Sequence, residues 1–115
     1  MRYVVTGGAG FIGSMLIPML LKAGHNVVVL DNLMFGGQSL LPYFIHPSFQ
    51  FYRVDVCDRK ALEPHLQNCD VVIHLAALVG YPLCKKMPDL AQKVNVDGAQ
   101  NIVDLTPSDT RLVHA

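Results

Sequence analysis

Three glycines, Gly7, Gly10 and Gly13, follow directly on the short run Arg2-Tyr3-Val4-Val5-Thr6 and open an apolar stretch that starts at Phe11. That order reads as a strand, a phosphate-binding turn and a helix. The glycines have separate jobs. One makes the tight turn, one lets the backbone approach a pyrophosphate, and one lets the helix pack closely on the strand. The helix presents its first unpaired N–H groups, at Phe11, Ile12 and Gly13, and the positive end of its dipole to that pyrophosphate. Glycine-rich turns also arise from packing alone, so the turn needs a confirming context.

The second strand supplies it. His25-Asn26-Val27-Val28-Val29-Leu30 is a buried-strand run ending in Asp31, 18 residues after Gly13. A dinucleotide-binding fingerprint places an acid about 20 residues on, where it accepts from the adenosine ribose hydroxyls. Asp31 would repel a 2′-phosphate, and no Arg or Lys lies between it and Arg53. The expected cofactor is therefore NAD rather than NADP. The plainer reading, in which Asp31 only caps a loop at a strand end, ignores the glycine spacing.

With 115 residues there is room for one domain, a dinucleotide-binding unit over 1–115. The apolar fraction of 51% suits a parallel sheet covered on both faces, whose strands are near-continuous apolar runs. Nine basic and nine acidic residues cancel, which leaves no electrostatic footprint for nucleic acid or an anionic membrane surface. The longest apolar stretches, Phe11 to Leu21 and Val71 to Cys84, are too short to span a bilayer. The Met1 end reads as the first strand and not as a signal peptide. Cys57, Cys69 and Cys84 are odd in number and lack Cys-x-x-Cys spacing, which points to free thiols in a reducing compartment, by default the cytoplasm. The five histidines show no i, i+4 pairing, so no metal site is expected.

Strands are expected near 2–6, 26–31, 50–54, 70–75 and 111–114. The first helix runs from Phe11 to Ala23 and stops at Gly24, with Pro18 removing one hydrogen bond and bending it. Residues 32–48 read as a loop with one helical turn. Asp58 is a candidate N-cap for a short helix to Leu66. A longer helix over Leu90 to Leu105 buries Leu90, Val94, Ala99, Ile102, Val103 and Leu105. Alternating strands and helices imply an α/β fold, a doubly wound parallel Rossmann sheet in the order 3-2-1-4-5.

Five motifs then occur in order: Thr6 to Ser14, Leu30-Asp31-Asn32-Leu33, Asp55-Val56-Cys57-Asp58, His74-Leu75-Ala76-Ala77 and Val94-Asn95-Val96-Asp97-Gly98. Together they resemble the NAD-dependent epimerase/dehydratase family, extended short-chain dehydrogenase/reductases that act mostly on nucleotide sugars. The resemblance covers essentially the whole chain. It implies that Asp55 accepts from the adenine amino group, that Val56 adds a backbone contact, and that Asn32 and Leu33 belong to the cofactor-binding set. It also implies that the cofactor crosses Leu75, Ala76 and Ala77 at the point where the sheet order reverses, and that Asn95 supports the site. By themselves, an Ala-Ala pair is plain packing and Asp55 is a turn former. His74, on a buried strand, reads as a satisfied core residue.

The family's chemistry uses a Ser or Thr after the fifth strand and a Tyr-x-x-x-Lys on the next helix, where Tyr is the acid/base. The sequence stops at Arg111-Leu112-Val113-His114-Ala115, so the catalytic segment and the sugar-binding part are expected to be absent, with no catalytic residue among these 115. Tyr81-Pro82-Leu83-Cys84-Lys85 matches Tyr-x-x-x-Lys literally, but Pro82 could sit only in a helix's first turn, so the match reads as coincidence. The expectation is an NAD(H)-binding half of an epimerase/dehydratase-like oxidoreductase, inactive alone, with a nucleotide sugar bound only by an intact relative. The alternatives are a nucleotide-responsive or scaffolding module without catalysis, and an active site completed by two chains through Tyr81 and Lys85. An apolar fifth strand without a neighbour further predicts a homo-oligomer, most simply a two-fold dimer.

Overall fold

The alternation within the apolar strands sorts their side chains onto two faces of one sheet. The computed structural model describes residues 1–34, 36–77 and 86–114. Its strands are β1 (Arg2–Thr6), β2 (Asn26–Asp31), β3 (Phe49–Arg53), β4 (Val71–His74) and β5 (Arg111–His114). All pair in parallel, in the order β3-β2-β1-β4-β5. This is the doubly wound arrangement expected, with strand limits shifted by one residue at β3 and β4.

On one face Val4, Val28, Leu30 and Val72 meet Val54, Val56, Leu62, Leu66, Val94 and Ile102. On the other, Val5, Val27 and Val29 meet Ile17, Leu21, Leu40 and Phe49. Covering both faces is what requires apolar residues at consecutive strand positions. Ile17 is fully buried, and its truncation to Ala would cost about 2–5 kcal/mol.

Helix α1 (Phe11–Lys22) runs unbroken through Pro18 and covers the second face with Ile17 and Leu21. Beside it, residues Gln38–Tyr43 form a 3₁₀ turn that buries Leu40, the single helical turn expected in this loop. The first face is covered by α2 (Arg59–Leu62), α3 (Pro88–Gln92) and α4 (Ala99–Leu105). Asp58 caps α2 as expected, its Oδ1 accepting from Ala61 N–H at 3.2 Å.

The expected single helix over 90–105 is interrupted by a π-helical stretch, Lys93–Gly98, between α3 and α4. This corrects one expected core residue. Val103 is 57% exposed. The buried positions run Val94, Gly98, Ile102, four apart, and each residue of an α-helix turns about 100° from the last. Val103 therefore points away from the stripe that Ile102 occupies. No helix among the described residues is long and apolar enough to cross a membrane. Tyr81, Cys84 and Lys85 lie outside the described residues.

Candidate cofactor-binding site

The sheet register brings the carboxyl ends of the inner strands level, with Thr6 opposite Leu30 on one side and His74 on the other. A groove opens above them, lined by the segments that leave β1, β2, β3 and β4. The chain leaves β1 through Gly7, whose N–H donates to Leu30 O at 2.8 Å. Gly7 has φ +70°, and a Cβ there would lie 2.6 Å from Ala76 N. Both the turn and the close approach to the β4 exit exclude a side chain. Gly13 faces the opposite way, where a Cβ would strike the backbone of Gly8, so its absence lets α1 abut the loop. Gly10 differs from both. Among the described residues, a Cβ there would meet only Gly7 O, at 3.4 Å, and no other described atom occupies the space above its backbone. Among the described residues no side chain caps the N-terminus of α1, where Gly10 is the N-cap.

Asp31 turns back to this loop. Its Oδ2 accepts from Ala9 N–H at 3.0 Å and its Oδ1 from Leu33 N–H at 2.7 Å. Ser39 Oγ donates to Ala9 O at 3.1 Å, so the loop is held at Ala9 through both its N–H and its carbonyl. Leu33 adopts φ 60°, a conformation that costs a bulky residue energy and that the Asp31 carboxylate helps to hold. Asn32 Oδ1 accepts from Met34 N–H at 3.0 Å, which shapes the next turn.

The opposite wall is the exit of β4. Thr6 Oγ1 accepts from Leu75 N–H at 3.1 Å and Ala76 N–H at 3.2 Å, and lies 2.7 Å from His74 Nδ1. With its lone pairs engaged by two N–H groups, the hydroxyl donates its own proton to Nδ1. The imidazole is then neutral with its proton on Nε2. Burial pushes the His74 pKa down to about 4, and His114 across the sheet adds to the shift. His74 is the satisfied core residue expected.

At the far end, Val54 and Val56 are buried beside an exposed Asp55, whose Oδ1 accepts from Cys57 N–H at 2.8 Å. Burial and the Asp55 carboxylate push the Cys57 thiol up, so it stays protonated at neutral pH.

Of the residues expected from sequence, Gly7, Gly10, Asp31 and Asn32 line the groove on one side, and Asp55 and Val56 close its end. Leu75, Ala76 and Ala77 form the other side. The remaining five do not line it. Phe11 and Ile12 are exposed beside the loop, Gly13 is buried behind it, Leu33 sits in the turn that Asp31 braces, and Asn95 is exposed next to Val94. The sequence reading assigned no site role to Ala9, Leu30, Met34, Gly36, Val54 and Val94, which also line it, or to Ser39, which holds the loop. Ala9, Leu30 and Val94 lie inside the motifs themselves, and Val54 is the apolar position just before one. Ser39 carried no signal.

Comparison with known proteins agrees with this geometry. The profile of the NAD dependent epimerase/dehydratase family matches residues 3–115, and the chain belongs to that family. UDP-glucuronic acid decarboxylase 4 of Arabidopsis thaliana is 39% identical over 106 residues, covering 91% of this chain and 23% of the relative. UDP-glucose 4-epimerase of Thermus thermophilus, solved in complex with NAD, is 35% identical with a TM-score of 0.79, over 91% of this chain and 33% of that one. A dTDP-glucose 4,6-dehydratase of Streptomyces venezuelae, also solved with NAD, is 32% identical with a TM-score of 0.84, over 91% and 35%. The chain thus spans a quarter to a third of the length of these relatives.

Proposed function

We propose that these 115 residues are the NAD(H)-binding part of a nucleotide-sugar epimerase- or dehydratase-like oxidoreductase, and that alone they bind the dinucleotide without turning over a sugar. The open backbone at Gly10, ahead of an uncapped twelve-residue helix, carries the reading. It suits a pyrophosphate, which needs backbone N–H donors and no intervening side chain. Asp31 stands at the end of β2, where it accepts from ribose hydroxyls and disfavours a 2′-phosphate. The slot between Val54, Val56 and Val94 takes a flat base, with Asp55 at its edge to accept from an amino group. Phe11, Ile12 and Gly13 contribute helix N–H groups, and Leu75, Ala76 and Ala77 give the dinucleotide a wall of small side chains. Bound NAD would supply a hydride acceptor.

Calorimetric titration of the chain with NAD and NADP tests this. Binding of NAD, weaker binding of NADP and no steady turnover of a UDP- or dTDP-sugar are expected. No NAD binding would favour a scaffolding role, and turnover would overturn the inactivity. The chain's place is cytoplasmic on this reading. On the same reading a two-fold dimer buries either β5, where Val113 is 43% exposed, or the helical segment over 90–105. A monomer mass by light scattering would refute the dimer.

A further inference from the structure

Behind the base-binding end of the groove, a side chain outside every expected site holds the turn that forms the rim. Asn101, on α4, uses its amide at both ends. Nδ2 donates to Val56 O at 3.0 Å, and Oδ1 accepts from Arg59 Nη1 at 3.4 Å. A carbonyl can only accept and a guanidinium can only donate, so one amide orientation serves both partners. Arg59 also pairs with Asp104 Oδ2 at 3.2 Å, so two residues one turn apart on α4 hold the same arginine. The helix presses on the turn as well, since a Cβ at Gly98 would come 2.6 Å from Val56 Cγ2. The same turn aims the Asp55 carboxylate, through the bond it accepts from Cys57 N–H.

We propose that Asn101 is a positioning residue that sets the groove's preference for a base carrying an exocyclic amino group. It does so by fixing Val56 O, and with it the peptide whose N–H, that of Cys57, holds Asp55. The inference rests on the reading that Asp55 and Val56 face the base. Without the Nδ2 donor, the Val56 carbonyl loses its partner, the 56–57 peptide is released to rotate, and the Asp55 carboxylate moves with it. A hydrogen bond to an amino group weakens steeply with misalignment, whereas apolar contact with Val54 and Val94 is non-directional. The loss therefore falls on ligands that have the amino group and spares those without it.

The probes are NAD and its hypoxanthine analogue, which carries a carbonyl where adenine has the amino group, titrated into the full chain. The unmodified chain is expected to prefer NAD by roughly fivefold, the worth of one hydrogen bond. Asn101→Asp keeps the volume and the contact with Arg59 but loses the donor. It and Asn101→Ala should weaken NAD until the two affinities lie within about twofold, with the analogue little changed. In the ligand-free variants, hydrogen exchange at Cys57 N–H should quicken. An equal loss for both ligands, an unchanged ratio, or unchanged exchange at Cys57 overturns the inference and leaves the groove reading standing. Failure of the unmodified chain to bind either dinucleotide overturns both.

Discussion

The Thr6 hydroxyl joins β1 to the exit of β4 by donating to His74 Nδ1, 2.7 Å away, while it accepts from Leu75 and Ala76 N–H. One side chain thus sets both the tautomer of a buried histidine and the course of the wall along the groove. Thr6→Val preserves shape and removes every one of these bonds. Because His74 Nδ1 and Ala76 N–H lose their partner, while Leu75 N–H keeps the Thr6 carbonyl at 3.0 Å, a loss of about 2 kcal/mol is expected, read as a lower urea midpoint with unchanged slope. An unchanged midpoint would mean that the wall is held by the backbone alone.

The same histidine gives the fold a pH dependence. His74 is 3% exposed, and its pKa falls to about 4 from an ordinary 6.5. Below pH 6.5 the unfolded chain takes up a proton that the folded chain refuses, so stability falls with pH until the folded pKa is reached. The contribution is whole above pH 6.5 and lost between there and about pH 4, at most about 3 kcal/mol. Urea titrations at pH 7, 5.5 and 4.5 should show the decline. His74→Gln should flatten it relative to the parent. An identical slope in the two proteins would assign the decline to other groups.

The glycine loop, Asp31 and the sheet order were legible because their signals are local. Apolar runs at strand length, glycines at fixed offsets and an acid at a strand end all lie within one β-α-β stretch. Ser39 and Asn101 were not, because each bonds a backbone carbonyl far along the chain, at Ala9 and at Val56. A carbonyl has no residue identity, so no pairing of residue types could reveal it. Val103 failed for another reason. Val103 directly follows Ile102 in α4, so it stands about 100° round the helix from the inward stripe that passes through Gly98 to Ile102.

Asp31 braces the loop at Ala9 and is proposed to face the ribose, and its removal should show both. Asp31→Ala takes away the acceptor for Ala9 N–H as well as the carboxylate proposed to meet the ribose hydroxyls. NAD should weaken about tenfold or more, as for a lost charge-assisted hydrogen bond and its neighbours, while NADP changes less, because the repulsion of its phosphate is also relieved. Parallel titrations of the two cofactors measure the gap. Equal affinities in the unmodified chain would remove Asp31 from the ribose site.

Gly7 and Gly10 stand three residues apart in one loop, yet substitution should separate folding from binding. At Gly7 a side chain meets φ +70° and the Ala76 backbone nitrogen at 2.6 Å, and backbone cannot swing aside as a flexible side chain does. Gly7→Ala should therefore cost several kcal/mol, at least about 2, and lower the melting temperature sharply. Gly10 has φ −81° and ψ −173°, an extended conformation that a β-branched residue adopts readily. Among the described residues its Cβ would touch only Gly7 O, at 3.4 Å. Gly10→Val should melt close to the parent protein and yet bind neither NAD nor NADP, because the branched side chain fills the space reserved for the pyrophosphate. Thermal melts beside calorimetric titrations of the two variants decide the matter. A Gly10→Val protein that is folded and still binds NAD would move the phosphate site away from this loop.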